Sequence, residues 1–125
     1  MTWEDLSRAH RDAAQCPMDS GNPIHARAAC GRAYYSTYAL VTSKLPSTLT
    51  FGRGWQNPEH AKFPAYVNEI KALDPDERRR VKTAIRRLRQ RREDSDYRPG
   101  ITVTRQEAKE ALRDAEEVRR LLLGG

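Results

Sequence analysis

The chain has 125 residues, of which 32% are charged, and a formal net charge of +6; that length accommodates one domain, 1–125, with a real core. Apolar residues that cluster despite a mean hydropathy of −0.87 describe a folded helical protein with a solvated exterior, not a disordered one. No apolar run approaches the ~18 residues of a membrane span, and Glu4 and Asp5 stand where a secretion signal would be basic and then apolar.

Thr2 followed by Asp5 reads as an N-cap with an N3 carboxylate and opens a helix to about Cys16, ended by Pro17 and the run SGNP at 20–23. Asn22 as cap and Pro23 in the first helical position start a second helix. Its apolar positions, Ile24, Ala28, Tyr35, Tyr38, Ala39 and Thr42, recur at three and four, and Pro46 closes it. Residues 46–60 read as a loop because Pro46, Gly52, Gly54 and Pro58 interrupt any periodicity. A short third helix is expected from about Ala61 to Leu73, with Phe63, Tyr66, Val67 and Ile70 on one side. Asp74 then caps a fourth, with Pro75 first and Asp76 and Glu77 in its opening turn. The stripe of this helix is Val81, Ala84, Ile85 and Leu88. Between Arg78 and Arg92 lie nine basic residues and no acid, so the rest of the chain is net negative and one element carries the positive field. EDSDYRPG, 93–100, reads as a break. Thr104 with Glu107 forms a capping box for a last helix, whose stripe is Ala108, Ala111, Leu112, Ala115, Val118, Leu121 and Leu122 and which Gly124 and Gly125 stop. Four or five amphipathic helices with short connections and no alternating strand pattern predict an all-α, up-and-down bundle.

Few chemistries fit this residue set. Cys16 and Cys30 form no CxxC pair and stand with only three histidines, His10, His25 and His60; this argues against a metal site and fits a reducing cytoplasm. A P-loop, a dinucleotide loop and a Ser/His/Asp set are missing, and the GRG at 52–54 is too short to cradle phosphates alone. No cofactor is expected. Arg32, set among aromatic and aliphatic side chains in ACGRAYYSTYALV, needs water or a partner. Asp96 is the candidate for a structural ion pair that holds the end of the fourth helix on the second. The alternative places Arg32 in a phosphate-binding cleft. Tyr34, Tyr35 and Tyr38 read as packing residues, with Tyr34 off the face of the other two and free for a dimer partner. Acids of the last helix neutralise part of the basic run. What remains points to RNA or another polyanion, for which Arg86, Arg89 and Arg91 are the candidate binding residues. No helix-turn-helix spacing suggests duplex reading.

GRAYYSTYALV at 31–41 resembles the Ser-Arg-Ala-Tyr-Tyr signature of HEPN-domain proteins, the higher eukaryotes and prokaryotes nucleotide-binding superfamily. RLRQRREDSDYRPG at 87–100 resembles that family's Arg…Ala-Asp-Tyr motif, with Ser95 in place of alanine, and NPEHAKFPAYVNEI at 57–70 is similar to its His-Lys segment. The resemblance spans roughly residues 4–123. It implies a small helical bundle that forms homodimers in a prokaryotic cytoplasm and is often encoded beside a minimal nucleotidyltransferase as a toxin–antitoxin pair. Catalytic relatives are metal-independent ribonucleases with an arginine, four to six residues, then a histidine. Here Arg92 is followed after four residues by Tyr97, a poor general base with a pKa of ~10 but a competent hydrogen-bond donor. The expected site is therefore Arg92, Asp96 and Tyr97, with Arg92 stabilising charge as a 2′-hydroxyl attacks the adjacent phosphate and Tyr97 as a donor in a slow reaction. Arg53 and His60, with six residues between them, form a second-choice site; as a lone histidine, His60 reads first as a cap or surface residue. Two functions follow: an RNA-engaging toxin or defence component, or a non-catalytic module that docks to a nucleotidyltransferase or larger effector, with Tyr97 as a modification acceptor.

Overall fold

The computed structural model describes residues 2–18, 23–54, 57–98 and 100–124. Asn22 and the side chains of Cys16, Ile24 and Arg53 lie outside the described residues. Among those described, all regular structure is helical: α1 Trp3–Met18, α2 Pro23–Lys44, α3 Phe63–Tyr66, α4 Pro75–Tyr97 and α5 Arg105–Leu123, with 3-10 turns at Gly52–Gly54 and Val67–Glu69. The expected all-α bundle is the fold.

α1 opens as its sequence dictates: Thr2 and Asp5 exchange backbone and side-chain hydrogen bonds, each 3.0 Å. It passes through Pro17 and ends at Met18. α2 is the central element, with α1, α4 and α5 all packed against it. Of the expected three-and-four stripe on α2, Tyr38, Ala39 and Thr42 are buried and Tyr35 is half-buried, but burial is not confined to that stripe. Ala28 is exposed, while Ala26, Ala29, Cys30, Ala33 and Tyr34 are buried. A helix with neighbours on three sides has no polar face to alternate with an apolar one. Its small residues let α1 approach closely, and the buried Ser7 and Ser36 join the two helices. Ser7 Oγ donates to the Ser36 carbonyl at 2.7 Å and Ser36 Oγ to that of Ser7 at 2.9 Å.

The third helix is shorter than expected. One α turn, with Pro64 at its start, passes into one 3-10 turn that stops where Ile70 adopts an extended backbone, φ −86° and ψ 94°. Phe63, Val67, Ile70 and Leu73 still reach the core. Their spacing contracts from four to three as the backbone tightens, so one side stays buried without a regular helix.

α4 starts on a full capping box between Asp74 and Glu77 and buries Val81, Ala84, Ile85 and Leu88. It does not break at 93 but continues to Tyr97. The acidic run lies one turn beyond the basic one, so Arg89 meets Glu93 at 3.2 Å, Gln90 donates to Asp94 at 3.0 Å and Arg92 faces Asp96 at 3.8 Å. Acids at a helix C-terminus oppose the macrodipole. Arg27 of α2 offsets this: its guanidinium donates to the carbonyls of Asp94 at 3.0 Å, Ser95 at 2.7 Å, Arg98 at 3.3 Å and also Ile101. α5, capped by Thr104 and ended by Gly124 at φ +75°, runs antiparallel to α4. Arg80–Glu117, Arg87–Asp114 and Arg91–Glu110 join them at 2.7, 3.6 and 2.9 Å. Acids of the last helix thus neutralise part of the basic run.

The Arg32–Asp96 pair expected from sequence does not form. Arg32 is exposed and its guanidinium contacts His10 Nδ1 at 3.1 Å, whereas the carboxylate of Asp96 faces Arg92. Successive helical residues lie 100° apart. The end of α4 sits on the face of α2 that carries Arg27, Gly31 and Tyr34, and a Cβ on Gly31 would meet Asp96 Oδ1 at 3.7 Å. Arg32 is rotated off that face toward α1. Arg27→Ala is expected to lower the unfolding free energy by about 2–3 kcal/mol, because it strands several carbonyls. Urea denaturation at unchanged m would show this as a lower midpoint. Arg32→Ala should move it by less than about 0.5 kcal/mol.

Candidate functional site

The last turn of α4 places Arg92 over the aromatic face of α2. Its side chain is buried, with 8% of the residue exposed. Cζ lies 5.0 Å from the Tyr34 ring centroid and 5.6 Å from those of Tyr35 and Tyr97. Nη1 donates to the Tyr35 hydroxyl at 3.3 Å and to that of Tyr97 at 3.5 Å. Its carboxylate neighbour, Asp96, stands 3.8 Å away with a side chain 40% exposed, and the buried Nε has no partner among the described residues. Arginine stays charged in proteins, and a buried guanidinium is ordinarily met by a close, bidentate carboxylate. Ring faces and neutral hydroxyls replace it here. They hold the cation by cation–π attraction and leave N–H donors that an anion would satisfy. Tyr97, 69% exposed, forms the outer wall.

A second element reaches the same cluster. The segment before α3 is pinned at three points: Tyr38 donates to the Pro58 carbonyl at 2.7 Å, and Glu59 Oε1 accepts from the Gly52 amide and the Tyr66 hydroxyl, both at 2.9 Å. Gly52 leaves room for this carboxylate: a Cβ there would meet it at 2.7 Å and push it aside. Held next to these anchors, His60 stacks on Tyr38 with 4.6 Å between centroids and bonds the Tyr34 hydroxyl through Nδ1 at 2.6 Å. Tyr34 and Tyr35 therefore serve both Arg92 and His60. Burial raises the Tyr34 pKa and, with help from Glu59, pushes that of Tyr38 up to about 12; both are neutral phenols. His10 of α1 extends the cluster, 5.7 Å from the Tyr35 ring.

The expected residues are thus distributed unevenly. Arg92, Asp96 and Tyr97 come together, on one helix instead of across a turn. The second-choice pair is divided: His60 joins the Arg92 cluster, while the side chain of Arg53 lies outside the described residues. Of the RNA-binding candidates, Arg86 is exposed, Arg89 pairs with Glu93 and acts electrostatically on Tyr34 and His60, and Arg91 is committed to Glu110. Tyr34, expected to be open to a partner, is 1% exposed, because it shares the Arg27–Gly31 face that α4 covers. Sequence reasoning missed Arg27 and His10. A 27–31–34–38 spacing on α2 was the available signal for one shared face. A groove of about 670 Å³ lined by Arg11, Arg80, Arg113 and Glu116 lies at the far end of α4, and its Glu116 is already held by Arg11. No group of three or more His, Cys, Asp or Glu side chains suited to a metal ion occurs among the described residues, nor any helix long and apolar enough to cross a membrane.

Compared with protein-family models, residues 6–124 match the HEPN domain. Neither the curated proteins nor the solved structures yielded a match. At the cluster itself, burial and then the charge of Arg32 lower the His10 pKa; burial and then Arg92 and Arg89 lower that of His60. Their unfolded forms bind protons more readily, so this contribution to stability is complete above the ordinary value of ~6.5 and is lost as pH falls through the lowered folded values. Asp114, raised by burial, acts in the opposite sense in the acid range. The melting temperature should fall from pH 7 to pH 5, and fall less in a His10→Asn, His60→Gln variant. An equal fall in both proteins would assign the sensitivity to other groups.

Proposed function

The chain belongs to the HEPN domain family, and from that premise we propose that it engages RNA, with Arg92 holding a backbone phosphate at the end of α4. The carrying observation is the buried guanidinium that, among the described residues, has no carboxylate closer than 3.8 Å and an unpartnered Nε. A phosphate, with two oxygens to present, supplies the bidentate acceptor that the protein withholds. The Tyr97 hydroxyl adds a donor at the rim, and its exposed ring offers a surface on which an unpaired base stacks. Exposed Arg86 extends the field along α4. In metal-free cleavage at such a site, the 2′-hydroxyl loses its proton to water as its oxygen bonds to phosphorus, closing a 2′,3′-cyclic phosphate, while the bond to the 5′-oxygen breaks and that oxygen takes up a proton from water. Arg92 stabilises the charge that builds on the phosphoryl oxygens. A toxin or defence role, a homodimer and a cytoplasmic setting belong to this reading.

One observation favours the second reading, a non-catalytic module docked to a minimal nucleotidyltransferase or another protein. Tyr97 is the most exposed large side chain of the cluster, open to a partner or to modification, and it is a weak base.

The test uses labelled single-stranded RNA with purified protein and EDTA. Arg92→Ala, with helical circular dichroism retained, should weaken binding about 10- to 100-fold, roughly 1.4–2.8 kcal/mol; Arg92→Lys should lose less. Binding should weaken steeply with salt, as backbone contacts do. Cleavage that Arg92→Ala abolishes supports the ribonuclease; binding without cleavage supports the module. Equal RNA affinity of wild type and Arg92→Ala would overturn the phosphate role of Arg92.

A further inference from the structure

We infer that His60 is a second anion ligand of the Arg92 site, presenting Nε2–H as a neutral hydrogen-bond donor in a tautomer that Tyr34 imposes. The identity of the anion as an RNA phosphate rests on the reading above; the tautomer does not.

The deduction starts from one buried proton. Tyr34 is 1% exposed and its hydroxyl lies 2.6 Å from His60 Nδ1. No other hydrogen-bond partner of that hydroxyl occurs among the described residues. If Nδ1–H donated to the phenol oxygen, the phenol proton would be buried without an acceptor, a loss of about 1–3 kcal/mol. With the phenol donating, the contact is satisfied and Nδ1 is an acceptor. The ring proton then resides on Nε2.

The surroundings hold the ring neutral and in place. Tyr38 stacks on it, Tyr35 meets it edge-on at 6.2 Å, and the Pro58 and Glu59 anchors fix the backbone immediately before it. From α4, Arg89 and Arg92 disfavour an imidazolium, as burial does. Glu59 on its own segment is engaged by Gly52 and Tyr66. Protonation would also set an Nδ1–H against the Tyr34 hydroxyl proton. Nε2–H, across the ring from the Tyr34 bond, has no partner among the described residues. Arg92 rests on Tyr34 and Tyr35 as His60 does. One phosphate between them would receive charge-assisted bonds from Arg92 and a neutral one from His60. The same tautomer excludes His60 as a general base through Nε2, where the lone pair is occupied.

Nitrogen-15 NMR of the full chain at pH 7 reads the tautomer directly. A protonated Nε2 and bare Nδ1 are expected, with Tyr34→Phe shifting the population toward a mixture. A protonated Nδ1 in the wild type overturns the inference. Titration with pyrophosphate and, separately, with a short single-stranded RNA reads the ligand role. The Nε2 resonance should move with either probe. Affinity should drop about tenfold in His60→Leu and stay within about threefold in His60→Gln, whose amide restores a donor. Unchanged affinity in His60→Leu overturns it, as does an Nε2 resonance that neither probe moves. If His60→Leu does not fold, the wild-type resonances and His60→Gln carry the test. A site that takes pyrophosphate through Nε2 but ignores RNA would refute the RNA reading and leave the His60 assignment standing.

Discussion

Arg27 makes the rest of the site possible. Without it, α4 would end in an acidic turn against its own macrodipole, with carbonyls lacking partners. One guanidinium from α2 collects two of those carbonyls, Asp94 and Ser95, together with those of Arg98 and Ile101 just beyond the helix, and so supplies the positive charge that the end of the helix lacks. The helix then extends beyond Arg92, and residues 92, 96 and 97 acquire fixed relations on one surface. The cap and the site lie on successive turns of the same α2 face, so the packing that stabilises α4 also aims Arg92 at Tyr34 and Tyr35.

The electrostatics of α4 divide by neighbour. Toward α5, arginines meet carboxylates in an antiparallel ladder of cross-helix pairs; such partly exposed pairs contribute little stability each but lower the net field. Toward α2, Arg92 meets aromatic rings and hydroxyls. This difference is chemical: a cation balanced by a carboxylate has little left for a ligand, whereas one held by ring faces keeps its donors and most of its charge. A buried cation so weakly neutralised costs stability. Strained or under-satisfied groups of this kind are what functional sites carry. The tyrosines are thus core and site at once. Tyr34 and Tyr38 form the packed floor, Tyr35 the middle and Tyr97 the exposed edge.

Local chemistry was legible wherever a residue acts on its own neighbours. The caps at Thr2, Asp74 and Thr104, the glycine stop at Gly124 and the apolar stripes of α4 and α5 follow from patterns within a few residues. So did the grouping of Arg92, Asp96 and Tyr97, which sit within six residues of one another. The stripe expected on α2 marks only part of its buried surface, because three helices surround it and leave little polar face to set a period. The break expected at 93–100 begins only after Tyr97, because residues 93–97, which carry no strong helix pattern of their own, are held helical by pairs with the preceding turn and by Arg27, far away in sequence.

By itself, then, the sequence determined an all-helical chain, its helix starts, one strongly basic element and the local motif around Arg92. Those properties arise from backbone capping, side-chain period and charge, all short-ranged. Only the tertiary structure decided that Arg27, not Arg32, faces the end of α4, that Tyr34 is buried, and that His60 joins Arg92 while Arg91 is spent on Glu110. Each of these turns on the angular position of a residue around a helix relative to a distant neighbour. A rotation of 100° per residue separates Arg32 from Gly31, and it is the docking of α4, not the local sequence, that selects which of them lies beneath it.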